Sequence, residues 1–123
     1  SIGYLNNGRT FLSNSQLQTG LTAMTSGTIV GIALDLDNNT VQFYNNNSAV
    51  GNAIATTAGT TYLFGFSGYT DTRFYANFGN GYFNTTAVSS AENPDDGNGI
   101  FEYDPPSGFR ALCTKSINAQ EYS

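Results

Sequence analysis

Residues 29 to 51 read IVGIALDLDNNTVQFYNNNSAVG, and their alternation decides the fold class. Successive side chains of a strand point to opposite sides. Val30, Ile32, Leu34 and Leu36 therefore share one face, while Ala33, Asp35 and Asp37 share the other. After a turn at Asp37-Asn38-Asn39-Thr40 the alternation resumes, with Val41 and Phe43 on the apolar side and Gln42 and Tyr44 on the polar side. This pattern predicts a hairpin with one dry face, closing on an Asn-rich tip. Two strands alone are not stable in water, so the dry face must cover a second layer. The expectation is an all-β, antiparallel β-sandwich whose function sits in its loops.

Composition agrees. The chain has 123 residues, the size of one domain. Aromatic residues make up 14 %, with eight Tyr and nine Phe, which suits a core of large flat side chains on sheets. Fourteen Gly and abundant Asn, Thr and Ser supply turn and strand formers, while the helix formers Glu and Lys are scarce. Net charge is −5 and the four cations, Arg9, Arg73, Arg110 and Lys115, are scattered. Nucleic acid is therefore excluded as an expected partner, because phosphate binding needs clustered Lys and Arg, and anionic membranes are excluded for the same reason. No run of about 18 apolar residues encodes a membrane span, and SIGYLNNGR is not a signal peptide. The lack of an initiating Met suggests a piece of something longer. A single Cys113 rules out an internal disulfide, and without His the commonest metal ligand and general base is missing.

Along the rest of the chain, residues 1 to 28 predict one or two short, irregular strands, with turn signals at Asn6-Asn7-Gly8 and Ser26-Gly27. Residues 52 to 61 read as a polar linker. Tyr62-Leu63-Phe64-Gly65-Phe66-Ser67 and Arg73 to Gly79 both alternate in period two and predict strands, joined by a turn at Asp71-Thr72. Phe43, Phe64, Phe66, Phe74 and Phe78 are the expected core aromatics, whereas Tyr44, Tyr69, Tyr75 and Tyr82 fall at exposed positions. The stretch from residue 80 to residue 99, NGYFNTTAVSSAENPDDGNG, is long and polar for a loop, and such loops are usually functional or mobile. Phe101 and Tyr103 suit a short extended piece before Pro105-Pro106, and Phe109, Ala111 and Leu112 suit a terminal strand.

With these residues in view the chain resembles the SPRY family, a bent β-sandwich related to the concanavalin-like jelly rolls. The resemblance is carried by GTIVGIALDLDNNTVQFYNNNSAVGNA (27 to 53), by TTYLFGFSGY, by YANFGNGYF and by FEYDPPSGFRALCTKSI. Asn77-Phe78-Gly79 and Pro105-Pro106-Ser107-Gly108-Phe109 are its more specific parts. A whole SPRY domain has further strands before the segment similar to Ile2-Gly3-Tyr4, so the resemblance implies the C-terminal part of a larger domain: residues 1 to 123 with N-terminal strands missing and a long insertion at 80 to 99. Half a sandwich leaves apolar faces wet at roughly 25 cal/mol per Å². The missing strands are then expected from material outside this sequence or from a neighbouring subunit. The insertion, with Pro-Pro-Ser-Gly-Phe and Ala-Leu-Cys-Thr after it, looks like the version found in large virion structural proteins of tailed phages.

Catalytic readings are weak on these residues. Asp35 and Asp37 stand two apart and offer the paired carboxylates of a glycosidase. No Glu lies in the expected strands, however, and both aspartates suit the polar face of a strand and its turn, with Asp37 bonding turn N–H groups. Asp95, Asp96 and Asn98 carry oxygen ligands of the kind calcium takes, but without the spaced Asp-x-Asp-x-Asp-Gly pattern. Cys113 has no His for a dyad and suits a buried small residue. Asn-x-Ser/Thr triplets at Asn38, Asn46 and Asn84 accept glycans only in a secretory pathway.

The expected function is thus non-catalytic, with no cofactor: a structural and interaction module of a phage virion, in a tail fibre or capsid decoration, within an oligomeric assembly. The resemblance implies that setting. Its loop candidates are Asn6, Asn7 and Arg9, the tip Asn45, Asn46 and Asn47, and Tyr69, Asp71 and Tyr82, since Tyr gives contact area at low entropy cost and Asn gives adaptable hydrogen bonds. The partner is a neighbouring virion protein or a host-surface glycan or protein. The alternatives are a lectin-like carbohydrate-binding module assisted by calcium, an adaptor for a short peptide, and a polysaccharide-degrading enzyme.

Overall fold

A computed structural model describes residues 1–122, with side chains as far as Asn118. The chain divides into two compact units, Ser1–Thr60 and the residues from Thr61 on.

The first unit consists of six strands in two antiparallel sheets. β1 (Ile2–Leu5), β2 (Arg9–Leu12) and β3 (Ser15–Gln18) form one meander. β4 (Val30–Asp35), β5 (Thr40–Asn45) and β6 (Ser48–Ala55) form the other. The predicted hairpin is β4–β5, with Ile32 opposite Phe43 and Leu34 opposite Val41. Val41, Phe43, Val50 and Ile54 are buried, and Ile2, Tyr4, Leu21, Ile32 and Leu34 pack against them. One meander thereby covers the dry face of the other, and the chain is all-β, as its alternation predicts. Tyr4 adds a ring contact to Phe43, at 5.7 Å between centroids.

Three details of the hairpin differ from expectation, the first being that Ala33, read on the polar face, is buried. Leu36 is 56 % exposed because the turn begins one residue after Asp35, outside the ladder. It is Asp35, not Asp37, that organises the turn: its carboxylate accepts the N–H groups of Asp37 and Asn38 and the side-chain amide of Asn38. The missed strand is β6. Its apolar residues fall at Val50 and Ile54 because a bulge opposite Gln42 breaks the period of two. Gln42 repairs the bulge by donating to the carbonyls of Phe43 and Val50. Gln18 reaches the edge of β6 with a reciprocal pair, accepting the Asn52 N–H at 2.9 Å and donating to the Asn52 carbonyl at 3.2 Å.

In the second unit regular structure is sparse. β7 (Tyr82–Phe83) and β8 (Thr86–Ala87) make a small hairpin inside the expected insertion, isolated bridges join Asn80 to Ile100 and Glu92 to Phe101, and α1 spans Thr114–Tyr122. Neither 62–67 nor 73–79 belongs to a strand, and Phe109 to Leu112 form none either. A strand exists by virtue of a partner, and period-two alternation alone does not supply one. α1 closes the chain where no helix is expected, and its Lys115, Ala119, Gln120 and Glu121 are good helix formers.

Candidate functional site

The largest exposed apolar feature of the second unit is the segment from Tyr62 to Phe78. It runs out, turns at Tyr69–Thr72 through the Thr72 N–H to Tyr69 carbonyl bond, and returns alongside itself. Phe66 stacks on Phe74 at 5.6 Å, and Phe64 meets Phe78 at 6.4 Å, so the two arms lie antiparallel with their even-numbered aromatics on one face. Yet no backbone ladder joins the arms. Phe64, Phe66, Phe74 and Phe78 are all exposed, which corrects their placement in the core. Leu63 is 91 % exposed and Tyr69, at the tip, 90 %. Isolated exposed apolar residues are ordinary, but seven in 17 residues are a concentration of the kind that marks interaction sites.

The base of this ribbon is held firmly. Asn77 donates to the Ile100 carbonyl at 3.1 Å and accepts the Gly79 N–H at 2.7 Å. The Asn-Phe-Gly motif thus anchors the returning arm to the bridge at Asn80.

Loop candidates fall into two sets. In the first unit Asn6, Asn7 and Arg9 are exposed at the β1–β2 turn. The Asn tip behaves differently. Asn45 is 6 % exposed, and its amide donates to the Tyr4 hydroxyl at 2.9 Å and to the Ala23 carbonyl at 3.3 Å. It corrects the expectation of an exposed tip residue, because β5 parity puts it on the same inward side as Val41 and Phe43. Asn46 accepts the Ile29 N–H, and Asn46 and Asn47 both take positive φ, the geometry of a two-residue hairpin turn. Only Asn47 offers a side chain free of such work. In the second unit Tyr69 and Asp71 sit together at the ribbon tip, and Tyr82 is exposed on β7 with its N–H on the Asn80 side chain.

The carboxylates of the second unit hold loops. Asp95 accepts the Gly108 N–H and the Ser107 hydroxyl, and these bonds pull its pKa below the usual range. Asp96 is lowered first by the Asn98 N–H, and its carboxylate lies 4.0 Å from Arg110 Nε. Glu102 is lowered by the Ser89 hydroxyl and N–H. Asn98 donates to Asp96. Among the described residues no group of three or more His, Cys, Asp or Glu is arranged to hold a metal ion. Cys113 is partly exposed before α1, and the Ser116 hydroxyl 3.5 Å away, followed by its N–H, lowers the thiol.

These bonds set a pH response. A depressed folded-state pKa means the unfolded chain binds more protons, so stability rises with pH in that window. The contribution is complete above the unfolded carboxylate values of about 4 and disappears as pH falls through the folded ones. Amides of Ser89, Asn98 and Gly108 are expected to lose hydrogen-exchange protection between pH 5 and 2.5, after correction for intrinsic rates. Unchanged protection at Gly108 would contradict the Asp95 assignment.

An all-β body whose apolar surface and polar tips face outward belongs to the class of binding modules. The SPRY domain family model matches residues 1–81, and the chain belongs to that family. No curated protein and no solved structure matches it. SPRY domains are protein-interaction modules and generally carry no catalysis. The match ends inside the second unit, before the segments from Phe101 to Ile117 on which the sequence resemblance also rested. Among the described residues no helix is long and apolar enough to cross a membrane.

Proposed function

We propose that this chain is a non-catalytic contact module of a phage virion, in a tail fibre or capsid decoration. It joins neighbouring virion proteins or a host-surface glycan or protein through its ribbon and loops. The observation that carries this reading is the ribbon from Tyr62 to Phe78, whose aromatic face and nearly naked Tyr69 tip are uncovered. The same ribbon supports the reading of the chain as the C-terminal part of a larger domain, completed by strands from outside residues 1–123: its arms alternate in period two but belong to no sheet. The virion setting rests on the resemblance of the 80-to-99 insertion and the Pro-Pro-Ser-Gly-Phe and Ala-Leu-Cys-Thr segments to tailed-phage structural proteins. Contact is short-range, through Tyr and Asn rather than clustered charge, so it depends weakly on salt.

The test is to locate the chain in purified particles by antibody labelling and to measure retention of a Tyr69→Ser form. Labelling is expected on the tail or capsid surface. Retention is expected to fall about tenfold or more, the cost of losing a central aromatic anchor. A chain absent from particles, or a substitution without effect, would contradict the proposal.

A further inference from the structure

We infer that the outer edge of β1 is a strand-addition site for another protein, taking an extended peptide in which an acid stands two residues before an aromatic side chain. The site belongs to the first unit and goes beyond the reading above, which rests on the ribbon.

Three observations define the peptide. The first is the backbone. β1 has a neighbour, β2, on one side only. The Ser13 N–H donates to the Ser1 carbonyl at 2.8 Å, which makes residues 1 and 13 a hydrogen-bonded pair. Such pairs alternate along an antiparallel ladder, so Gly3 and Leu5 bond to Phe11 and Arg9, while the N–H and C=O groups of Ile2 and Tyr4 point out of the sheet edge. β3, the other edge of this sheet, lies across a bulge and has its Gln18 engaged at Asn52. β1 is regular and holds neither Pro nor charge, the usual guards of an edge.

The second is shape. Beside that edge lies a hollow of about 280 Å³, lined by Ser1, Ile2, Gly3, Leu5, Phe11 and Asn14. Ile2 and Tyr4 turn their side chains to the buried cluster, so Gly3 and Leu5 lie on the opposite, outer face, where Gly3 stands across from Phe11. The hollow is smaller than the roughly 300–1,000 Å³ of a small-molecule site and suits one large side chain. In an added antiparallel strand the residue facing Gly3 belongs to a non-hydrogen-bonded pair, in which side chains come closest. An aromatic at that position fills the space over the glycine and meets Phe11.

The third is charge. Arg9 is exposed, shares the outer face across from Leu5, and makes no ion pair or hydrogen bond among the described residues. A Glu facing Leu5 in the added strand stands two strands, about 10 Å, from Arg9, a gap that two long side chains close over the leucine. Antiparallel order puts that acid two residues before the aromatic. Nowhere in residues 1–123 does an acid stand two residues before an aromatic, so the occupant is a different protein and not a copy of this chain.

The probe is the acetylated and amidated peptide Thr-Glu-Val-Phe-Val-Thr, titrated to about 3 mM into the unaltered chain and followed by amide NMR. The amides of Ile2 and Tyr4 are expected to shift with a Kd of about 0.1–1 mM, as for a contact far smaller than a standard interface. The same peptide N-methylated at both Val residues, whose amides face the edge, is expected to lose binding, since main-chain bonds supply the affinity of an added strand. Gly3→Val fills the hollow from within. Its Cβ meets only Leu5 Cδ1, at an ordinary 3.9 Å, and Val suits a strand, so the fold is kept while binding is expected to fall at least tenfold. Arg9→Glu is expected to weaken binding about threefold and to make a peptide with Lys in place of Glu the better ligand. No shift at Ile2 and Tyr4, equal binding of the N-methylated peptide, full binding by Gly3→Val, or an unchanged preference in Arg9→Glu overturns the inference. The N-methylated arm uses the unaltered chain and so does not depend on how either variant folds.

Discussion

Replacing Gly8 with alanine is expected to destabilise the first unit by about 3 kcal/mol or more, a large part of the roughly 3–9 kcal/mol that some 60 residues supply. Gly8 closes the β1–β2 turn, where its N–H donates to the Leu5 carbonyl at 3.1 Å and its carbonyl accepts the Leu21 N–H at 3.0 Å. It is buried, with φ at 75°, a conformation that costs an L side chain about 1 kcal/mol. A Cβ there would stand 2.9 Å from the Leu21 carbonyl carbon and closer still to its oxygen. Backbone cannot swing aside as a flexible side chain does, and Leu21 is itself packed against the buried cluster of Val41, Phe43, Val50 and Ile54. Relief of the clash therefore displaces core. Gly20 is the control: its φ is 70°, but nothing lies within 4 Å of the added atom, so Gly20→Ala is expected to show the conformational cost alone, about 1 kcal/mol. Equal midpoints for the two variants in urea would contradict the account.

What the sequence revealed and what it concealed divide along a physical line. The β4–β5 hairpin was legible because its alternation and its turn agree, and each is local. Its turn residue is not legible, since Asp35 and Asp37 offer the same chemistry and only backbone geometry distinguishes them. β6 is hidden by its bulge: two extra residues opposite Gln42 move the apolar positions from 50 and 52 to 50 and 54, which reads as linker. The ribbon failed in the opposite sense. Its alternation is clean, and it predicts two strands, yet strand formation needs hydrogen-bond partners that no periodicity encodes. The same alternation that marked Phe64, Phe66, Phe74 and Phe78 as core gives, without a covering layer, the most exposed aromatic face of the second unit. The candidate surface was thus partly legible at Tyr69 and Asp71, through turn chemistry and exposure, and illegible at the phenylalanines beside them.

The Asn tip is opaque in the sequence for a related reason, since three consecutive identical residues hide three different roles. Parity along β5 turns Asn45 inward, where its amide links β5 to Tyr4 of the opposite sheet and to the loop at Ala23. Tyr4 in turn donates to the Thr22 carbonyl at 2.5 Å, so one amide ties together both meanders and the segment between them. Asn45→Ala removes both donors and leaves the Ala23 carbonyl without that partner in a part-buried setting. The expected loss is about 2–3 kcal/mol, from the unmade bonds and the space left behind. Asn47→Gly deletes an exposed side chain while keeping a residue that tolerates φ of 72°, and Asn-Gly is the favoured pair for such a turn. Its expected change is within about 0.5 kcal/mol. Denaturant midpoints of the two variants distinguish a tip that binds from a bolt that holds the sheets together. Were Asn45→Ala as stable as Asn47→Gly, Asn45 would be a surface residue after all, and the covering of one meander by the other would rest on apolar packing alone.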